Sequence, residues 1–308
     1  MLNDVSDLSP SRARTGVLLA PVAGALLLSG CSAQPISQSS PVIESKLAPH
    51  TTSTDNSARP VPDNDESSSV DKLTAEVVAT HPFSEDSFTQ GLEVTPDGEL
   101  LVGTGQTGES RIYRAKVRNH EVEASAELED TQFGEGITQA GDHVWQLTWK
   151  DGVAIKRDPK TLQETGRAPY DGEGWGLCAF EDTMFMSDGS AQLQRLNPES
   201  FDDKASPVEV TLDGSPVDKI NELECVTDRQ GERHVFANVW FSTDILRIDP
   251  ESGHVTGIVD ASGLDNNADP RDSDNVLNGI AYDPSLDLYY LTGKRWPDLY
   301  EVRFEPAS

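Results

Sequence analysis

Positive charge is scarce in this chain: 24 lysines and arginines stand against 53 aspartates and glutamates, for a net charge of −29. Nucleic-acid binding needs a basic footprint that neutralises phosphates, so that class of partner is excluded. Nearly all of the imbalance falls on residues 73–308. Solubility or a salty habitat accounts for such acidity, and so does long-range attraction of peptides with cationic amino termini. Cysteine is almost absent too, with only Cys31, Cys178 and Cys225. No Cys or His cluster has the spacing of a zinc site. Helical periodicity is missing from every long stretch, which leaves strands as the expected elements. The apolar run at 17–28 is too short to span a membrane comfortably.

That run has a different reading. Arg12 and Arg14 precede it, and it ends in Leu28-Ser29-Gly30-Cys31, which resembles the bacterial lipobox. Residues 1–30 are therefore expected to be a lipoprotein signal peptide and Cys31 the lipidated residue, making the chain extracytoplasmic and lipid-anchored to the cell membrane. The segment before Arg12 is long and acidic for such a leader, which leaves the true start open. Residues 31–72 are rich in Ser, Thr, Pro, Asp and Asn with few large apolar side chains, too few to offset the cost of ordering. They are expected to be a disordered tether. A coil of about 40 residues spans roughly 35 Å, enough to lift a domain off a membrane surface.

Residues 73–308 carry a repeat. Five apolar cassettes recur roughly every 40–57 residues: Gly91-Leu92-Glu93-Val94, Gly136-Ile137-Thr138-Gln139, Gly176-Leu177-Cys178-Ala179, Glu222-Leu223-Glu224-Cys225 and Gly279-Ile280-Ala281-Tyr282. Short runs of Val, Ile, Leu, Tyr and Phe follow each, separated by turns such as Pro96-Asp97-Gly98 and Asp283-Pro284. The period and the strand count predict an all-β, five-bladed β-propeller of four-stranded antiparallel blades. The last unit lacks a fourth strand, and the run at 75–80 precedes the first unit with no blade of its own. It is expected to pair into the last blade and close the ring.

The residue before each cassette is one that can do chemistry or recognition: Gln90, Glu135, Trp175, Asn221 and Asn278. Antiparallel pairing sets the start of each first strand beside the end of the second, which adds Thr104, Trp149, Asp188, Trp240 and Lys294, with Phe88 and Phe133 just upstream. The resulting mouth is a largely apolar pocket with a few convergent polar groups. Glu135 has two readings here, a general acid or base in an aromatic enclosure, or a carboxylate holding turn amides. Trp145 reads as core and Trp296 is left open. Cys178 and Cys225 fall at the third and fourth cassette places of neighbouring units, facing one gap. Packed sheets lie about 10 Å apart, so a bond needs convergence near the axis, and the pairing is left open.

These residues sit in segments such as Phe88-Thr89-Gln90-Gly91-Leu92, Phe133-Gly134-Glu135-Gly136-Ile137-Thr138, Gln146-Leu147-Thr148-Trp149, Gly172-Glu173-Gly174-Trp175-Gly176-Leu177, Ile220-Asn221-Glu222-Leu223-Glu224, Ala237-Asn238-Val239-Trp240 and Thr292-Gly293-Lys294. Over about residues 77–304 the chain strongly resembles the plant-type, papaya-like glutaminyl-peptide cyclotransferases, or glutamine cyclotransferases, and their bacterial homologues. The resemblance implies a five-bladed propeller and conversion of amino-terminal glutamine to pyroglutamate with release of ammonia. It carries Glu135 onto the catalytic acid position. Phe88, Gln90, Phe133, Trp149, Trp175, Asn221, Trp240 and Lys294 fall on substrate-pocket positions. No metal or cofactor is required by the chemistry, while a structural ion in the central channel is left open. The expected partners are peptides or proteins with N-terminal Gln, met by a monomer. The competing reading is a non-catalytic extracytoplasmic propeller that binds peptide ends or sugars. The insertion at 265–274 is less typical of the family and bears on access to the pocket.

Overall fold

The computed structural model describes residues 69–307, and no helix occurs among them. Cys31, the expected lipidation site, the expected signal segment 1–30 and most of the expected tether lie outside the described residues. Strand β1, Asp71–Pro82, begins two residues before the boundary expected for the domain.

Four-stranded antiparallel arrays follow in chain order. The first holds β2 (Thr89–Val94), β3 (Leu100–Thr104), β4 (Arg111–Ala115) and β5 (Val122–Glu127). The second holds β6 (Gly134–Ala140), β7 (His143–Thr148), β8 (Val153–Arg157) and β9 (Glu164–Pro169). The third holds β10 (Leu177–Ala179), β11 (Met184–Ser187), β12 (Gln192–Leu196) and β13 (Asp203–Glu209), trailed by the small hairpin β14 (Thr211–Leu212) and β15 (Ser215–Pro216). The remaining strands are β16 (Ile220–Thr227), β17 (Arg233–Val239), β18 (Asp244–Ile248), β19 (Val255–Asp260), β20 (Leu277–Asp283), β21 (Leu288–Gly293) and β22 (Asp298–Pro306).

β1 pairs antiparallel with β22, from Leu73 opposite Pro306 to Pro82 opposite Asp298, so the N-terminal run supplies the strand that the last unit lacks. It also does something the repeat did not announce. Its first residues run parallel to β19, Asp71 opposite Gly257 through Thr74 opposite Asp260, and this pairing fuses the last two arrays into one eight-stranded sheet. The sheet pairing therefore gives three separate four-stranded sheets and one double sheet, not five separate blades.

The first strands lie against one another in sequence: β2 on β6, β6 on β10, β10 on β16, β16 on β20, and β20 on β2. Apolar residues fill each gap. Ile137 and Val144 meet Leu101 and Ile112 between the first and second arrays, and Trp145 and Leu147 meet Leu177 and Met184 between the second and third. Leu92 and Tyr113 share a cluster with Tyr290 and Leu299 from the far end of the chain. Each such fully buried side chain contributes about 1.5–3 kcal/mol of transfer free energy.

The glycines that head the cassettes have a steric cause. A Cβ on Gly136 would stand 2.6 Å from the Trp175 carbonyl oxygen, and one on Gly176 would strike the Asn221 carbonyl. The first strands approach so closely that only hydrogen fits. The fourth cassette departs from the rule by carrying Glu222, whose carboxylate accepts the backbone N–H of Leu92 (3.2 Å) and of Ile280 (2.9 Å). The same convergence brings the Cα atoms of Cys178 and Cys225 within 5.2 Å, and the two are joined in a disulfide between β10 and β16.

Candidate active site

The first strands of four arrays carry a bulge at the same place. Pairing slips by one residue between Thr89 and Gly91, between Gly134 and Ile137, between Ile220 and Leu223, and between Leu277 and Ile280. The residues released from the ladder are Gln90, Glu135, Asn221 and Asn278, in the last three cases together with the cassette heads Gly136, Glu222 and Gly279. A bulge kinks the strand and re-aims a side chain that regular alternation would send into a sheet face. In the third array the strand starts later, at Leu177, and Trp175 precedes it, its N–H donating to the Ser187 carbonyl at the end of β11.

Trp149, Trp240 and Lys294 come from the other direction, each directly after a second strand: β7, β17 and β21. Phe88 and Phe133 stand just ahead of β2 and β6. All nine residues expected at the pocket, Glu135 among them, line one cavity of about 220 Å³. Three residues expected at the mouth do other work. Thr104 bonds the backbone of Arg111, Asp188 caps the turn at Ser190, and Asn278 donates to the Thr89 carbonyl (2.9 Å) and to Gln90 Oε1 (3.2 Å), fixing the Gln90 amide.

The walls are aromatic. Phe88 meets Phe133 edge-on at 6.2 Å between centroids, Phe133 meets Trp149 at 5.6 Å, and Trp175 meets Trp240 edge-on at 5.5 Å. Lys294 stands with its ammonium 4.8 Å from the Phe88 ring centroid, a cation–π placement. Trp145 and Trp296, at 2% and 3% exposure, are core residues away from this cavity.

Glu135 is 5% exposed, and no side-chain hydrogen bond to it is found among the described residues. Burial pushes its carboxyl well above the ordinary carboxylate range; Lys294 pulls it back and Glu173 pushes it further up. Burial in turn lowers Lys294, against the pull of Glu135 and Asp274. A carboxyl whose burial favours its neutral form beside an ammonium whose burial favours its neutral form, both facing an aromatic cavity, is suited to give and take protons.

Known proteins resemble this chain over most of its described length. The family model described as glutamine cyclotransferase matches residues 47–304, beginning inside the segment read as a tether. The chain belongs to the glutamine cyclotransferase family. Glutaminyl-peptide cyclotransferase of Arabidopsis thaliana is 34% identical over 237 residues, covering 76% of this chain and 72% of the plant protein. The crystal structure of Myxococcus xanthus glutaminyl cyclase superposes with a TM-score of 0.71 at 32% identity, covering 78% of this chain and 100% of that one.

Two cavity residues of this glutamine cyclotransferase escaped the sequence reading. Gln106 lies in the turn after β3 with φ of 88°, and Asp274 closes the insertion ahead of β20; both border the cavity. Loops outside the cassette frame carry no periodic signal. The insertion itself was the available clue for Asp274. Among the described residues one further group, Asp142, His143 and Glu199, has ligand atoms close enough for a metal ion, and it lies apart from the cavity.

Proposed function

We propose that this glutamine cyclotransferase converts the N-terminal glutamine of peptides and proteins to pyroglutamate with release of ammonia, using Glu135 as the single proton shuttle. The observation that carries the reading is the Glu135 carboxyl, buried, unpartnered and facing the cavity. In the reaction the neutral α-amine attacks its own γ-carboxamide carbon, a ring C–N bond forms, and the C–NH2 bond breaks as ammonia leaves. Glu135 takes a proton from the attacking nitrogen and delivers one to the departing nitrogen, an exchange worth about 100- to 10,000-fold in rate. Gln90, Asn221 and Lys294 hold the amide and steady charge developing on its oxygen. The indole faces of Trp149, Trp175 and Trp240 enclose the short side chain and favour ring-closing geometry.

The five arrays are read as the blades of a five-bladed propeller. Support comes from the cyclic order of first-strand packing, with β20 returning to β2, and from the β1–β22 pairing. The domain is further read as metal-independent in its chemistry, because proton transfer and oxyanion stabilisation are both available from its side chains. It is read as held outside the cell by a lipid on Cys31. The binding-only alternative is not favoured, since the named relatives are enzymes.

Incubating the purified chain with a Gln-initiated peptide, with and without chelator, tests the reading. Ammonia release matched by loss of one NH3 from the peptide is expected in both cases. Gln-first peptides that stay intact would overturn the activity, and chelator-sensitive turnover would overturn metal independence.

A further inference from the structure

Glu173 belongs neither to the cavity lining nor to the reaction steps above, yet it touches two of the cavity's walls at once. It sits on the connection from β9 to β10. Its Oε2 accepts the indole N–H of Trp149 at 2.7 Å and that of Trp175 at 3.1 Å. Its Oε1 pairs with the Lys150 ammonium at 3.2 Å, and that ammonium lies 3.8 Å from the Trp149 ring centroid. The connection is itself pinned, since the Gly174 N–H donates to the Trp149 carbonyl and the Trp175 N–H to the Ser187 carbonyl.

The aromatic enclosure consists of two groups with no ring contact between them among the described residues. Phe88, Phe133 and Trp149 form one group on the first and second arrays; Trp175 and Trp240 form the other on the third and fourth. An indole facing an apolar space directs its N–H to a partner elsewhere. Here both N–H groups converge on one carboxylate oxygen. Charge-assisted bonds of this kind are shorter and stronger than neutral ones, and they set ring orientation as well as position.

We infer that Glu173 is a positioning residue of the cyclotransferase site, a clasp that locks Trp149 to Trp175 and thereby fixes the separation of the two walls between which the glutamine side chain must fold. The inference rests on the proposed activity for its kinetic consequence and on geometry alone for the clasp. A loosened wall admits unproductive conformers of a side chain that has to close a five-membered ring, and misplacement by about 1 Å costs roughly 100-fold in rate. The carboxylate has a second effect through its charge. The groups facing Glu135 are Lys294, Glu173 and Tyr170, with Asp274 beside Lys294. Glu173 stays ionised: burial favours its neutral form, but the Trp175, Trp149 and Lys150 donors outweigh burial and hold it below the ordinary range. Its negative charge pushes the Glu135 carboxyl further above the ordinary range.

The test uses the full chain with 15N-labelled tryptophan. The Trp149 and Trp175 indole N–H resonances, assigned with Trp149→Phe and Trp175→Phe, are followed in the substrate-free Glu173→Ala and Glu173→Gln variants. Both resonances move upfield in Glu173→Ala, and at least one moves in Glu173→Gln, which keeps a single amide acceptor. In activity, Glu173→Ala loses about 10- to 100-fold in kcat/KM. Glu173→Gln recovers most of that loss, while the ionisation assigned to Glu135 in its pH profile moves to lower pH. A side chain that merely fills space predicts no such shift in the isosteric variant. Indole resonances unchanged in both variants overturn the clasp, as does a Glu173→Gln profile superimposable on wild type. Should the wild-type chain leave Gln-initiated peptides intact, the proposed activity falls, and the indole spectra still decide the clasp. If Glu173→Ala fails to fold, Glu173→Gln carries the same spectral test.

Discussion

Glu135 and Glu222 differ by one place in their cassettes, the first standing immediately before the head position and the second on it. Both are buried, and burial pushes both carboxyls well above the ordinary range. Their surroundings differ. Glu222 is answered by two backbone N–H groups from β2 and β20, and Glu224 and Glu93 are answered in the same way by the N–H of Tyr282 and of Gln139. Glu135 meets no donor among the described residues and faces the cavity. Perturbed acidity alone would have nominated all four. Hydrogen-bond accounting separates three carboxylates that tie first strands together from one left facing the cavity.

The comparison breaks most visibly at the cavity. Lys294→Met removes the buried ammonium beside Glu135; kcat/KM for a Gln-initiated peptide is expected to fall about 100- to 1,000-fold, with little change in unfolding free energy. Because Lys294 pulls the Glu135 proton off, its loss moves the Glu135 ionisation to higher pH. A variant that retains wild-type kinetics would remove Lys294 from the chemistry.

Among the strand-tying acids the expected effect is on stability instead. Glu222→Ala strands the N–H groups of Leu92 and Ile280 in the interior, costing about 2–5 kcal/mol by denaturant titration. Turnover per folded molecule should hold. A small loss, below about 1 kcal/mol, would mean that the carboxylate ties nothing.

The smallest effect concerns Glu93, whose pKa is pushed from 4.5 up to about 7, chiefly by burial. Between those values the folded chain keeps a proton that the unfolded chain has released, so this group's stabilisation is full below the lower value and is lost as pH rises through about 7. Tm should decline across that window, and Glu93→Gln should make the decline shallower. An identical slope in the variant would show that Glu93 does not titrate there.

Much of this arrangement was legible in the chain before any coordinates. Gly91, Gly136 and Gly176 recur because neighbouring first strands leave no room for a Cβ, and Gly279 because its φ of 135° suits only glycine, so the repeat records a steric fact. Placement of Trp149, Trp240 and Lys294 followed from antiparallel pairing alone, and the N-terminal run found its partner in β22 because an unfilled strand place and an unassigned strand matched. Three things were not legible. Parallel pairing of β1 with β19 is made by backbone edges, which leave no side-chain signature. The bulges at Gln90, Glu135, Asn221 and Asn278 shift register without altering the apolar pattern. The Cys178–Cys225 bond depends on how far the first strands converge, a quantity the typical sheet spacing of about 10 Å misjudges. Glu222 was visible as an exception to the glycine rule, but its two N–H partners lie 130 and 58 residues away in the chain.

Glu135→Gln and Glu222→Gln, prepared and assayed side by side for ammonia release at saturating Gln-initiated peptide and for thermal unfolding, put the contrast to its most direct trial. The account predicts that the first variant folds and binds peptide like wild type but loses about 100- to 10,000-fold in kcat, while the second melts earlier and keeps its turnover. Near wild-type turnover in Glu135→Gln, or lost turnover in a fully folded Glu222→Gln, would contradict it.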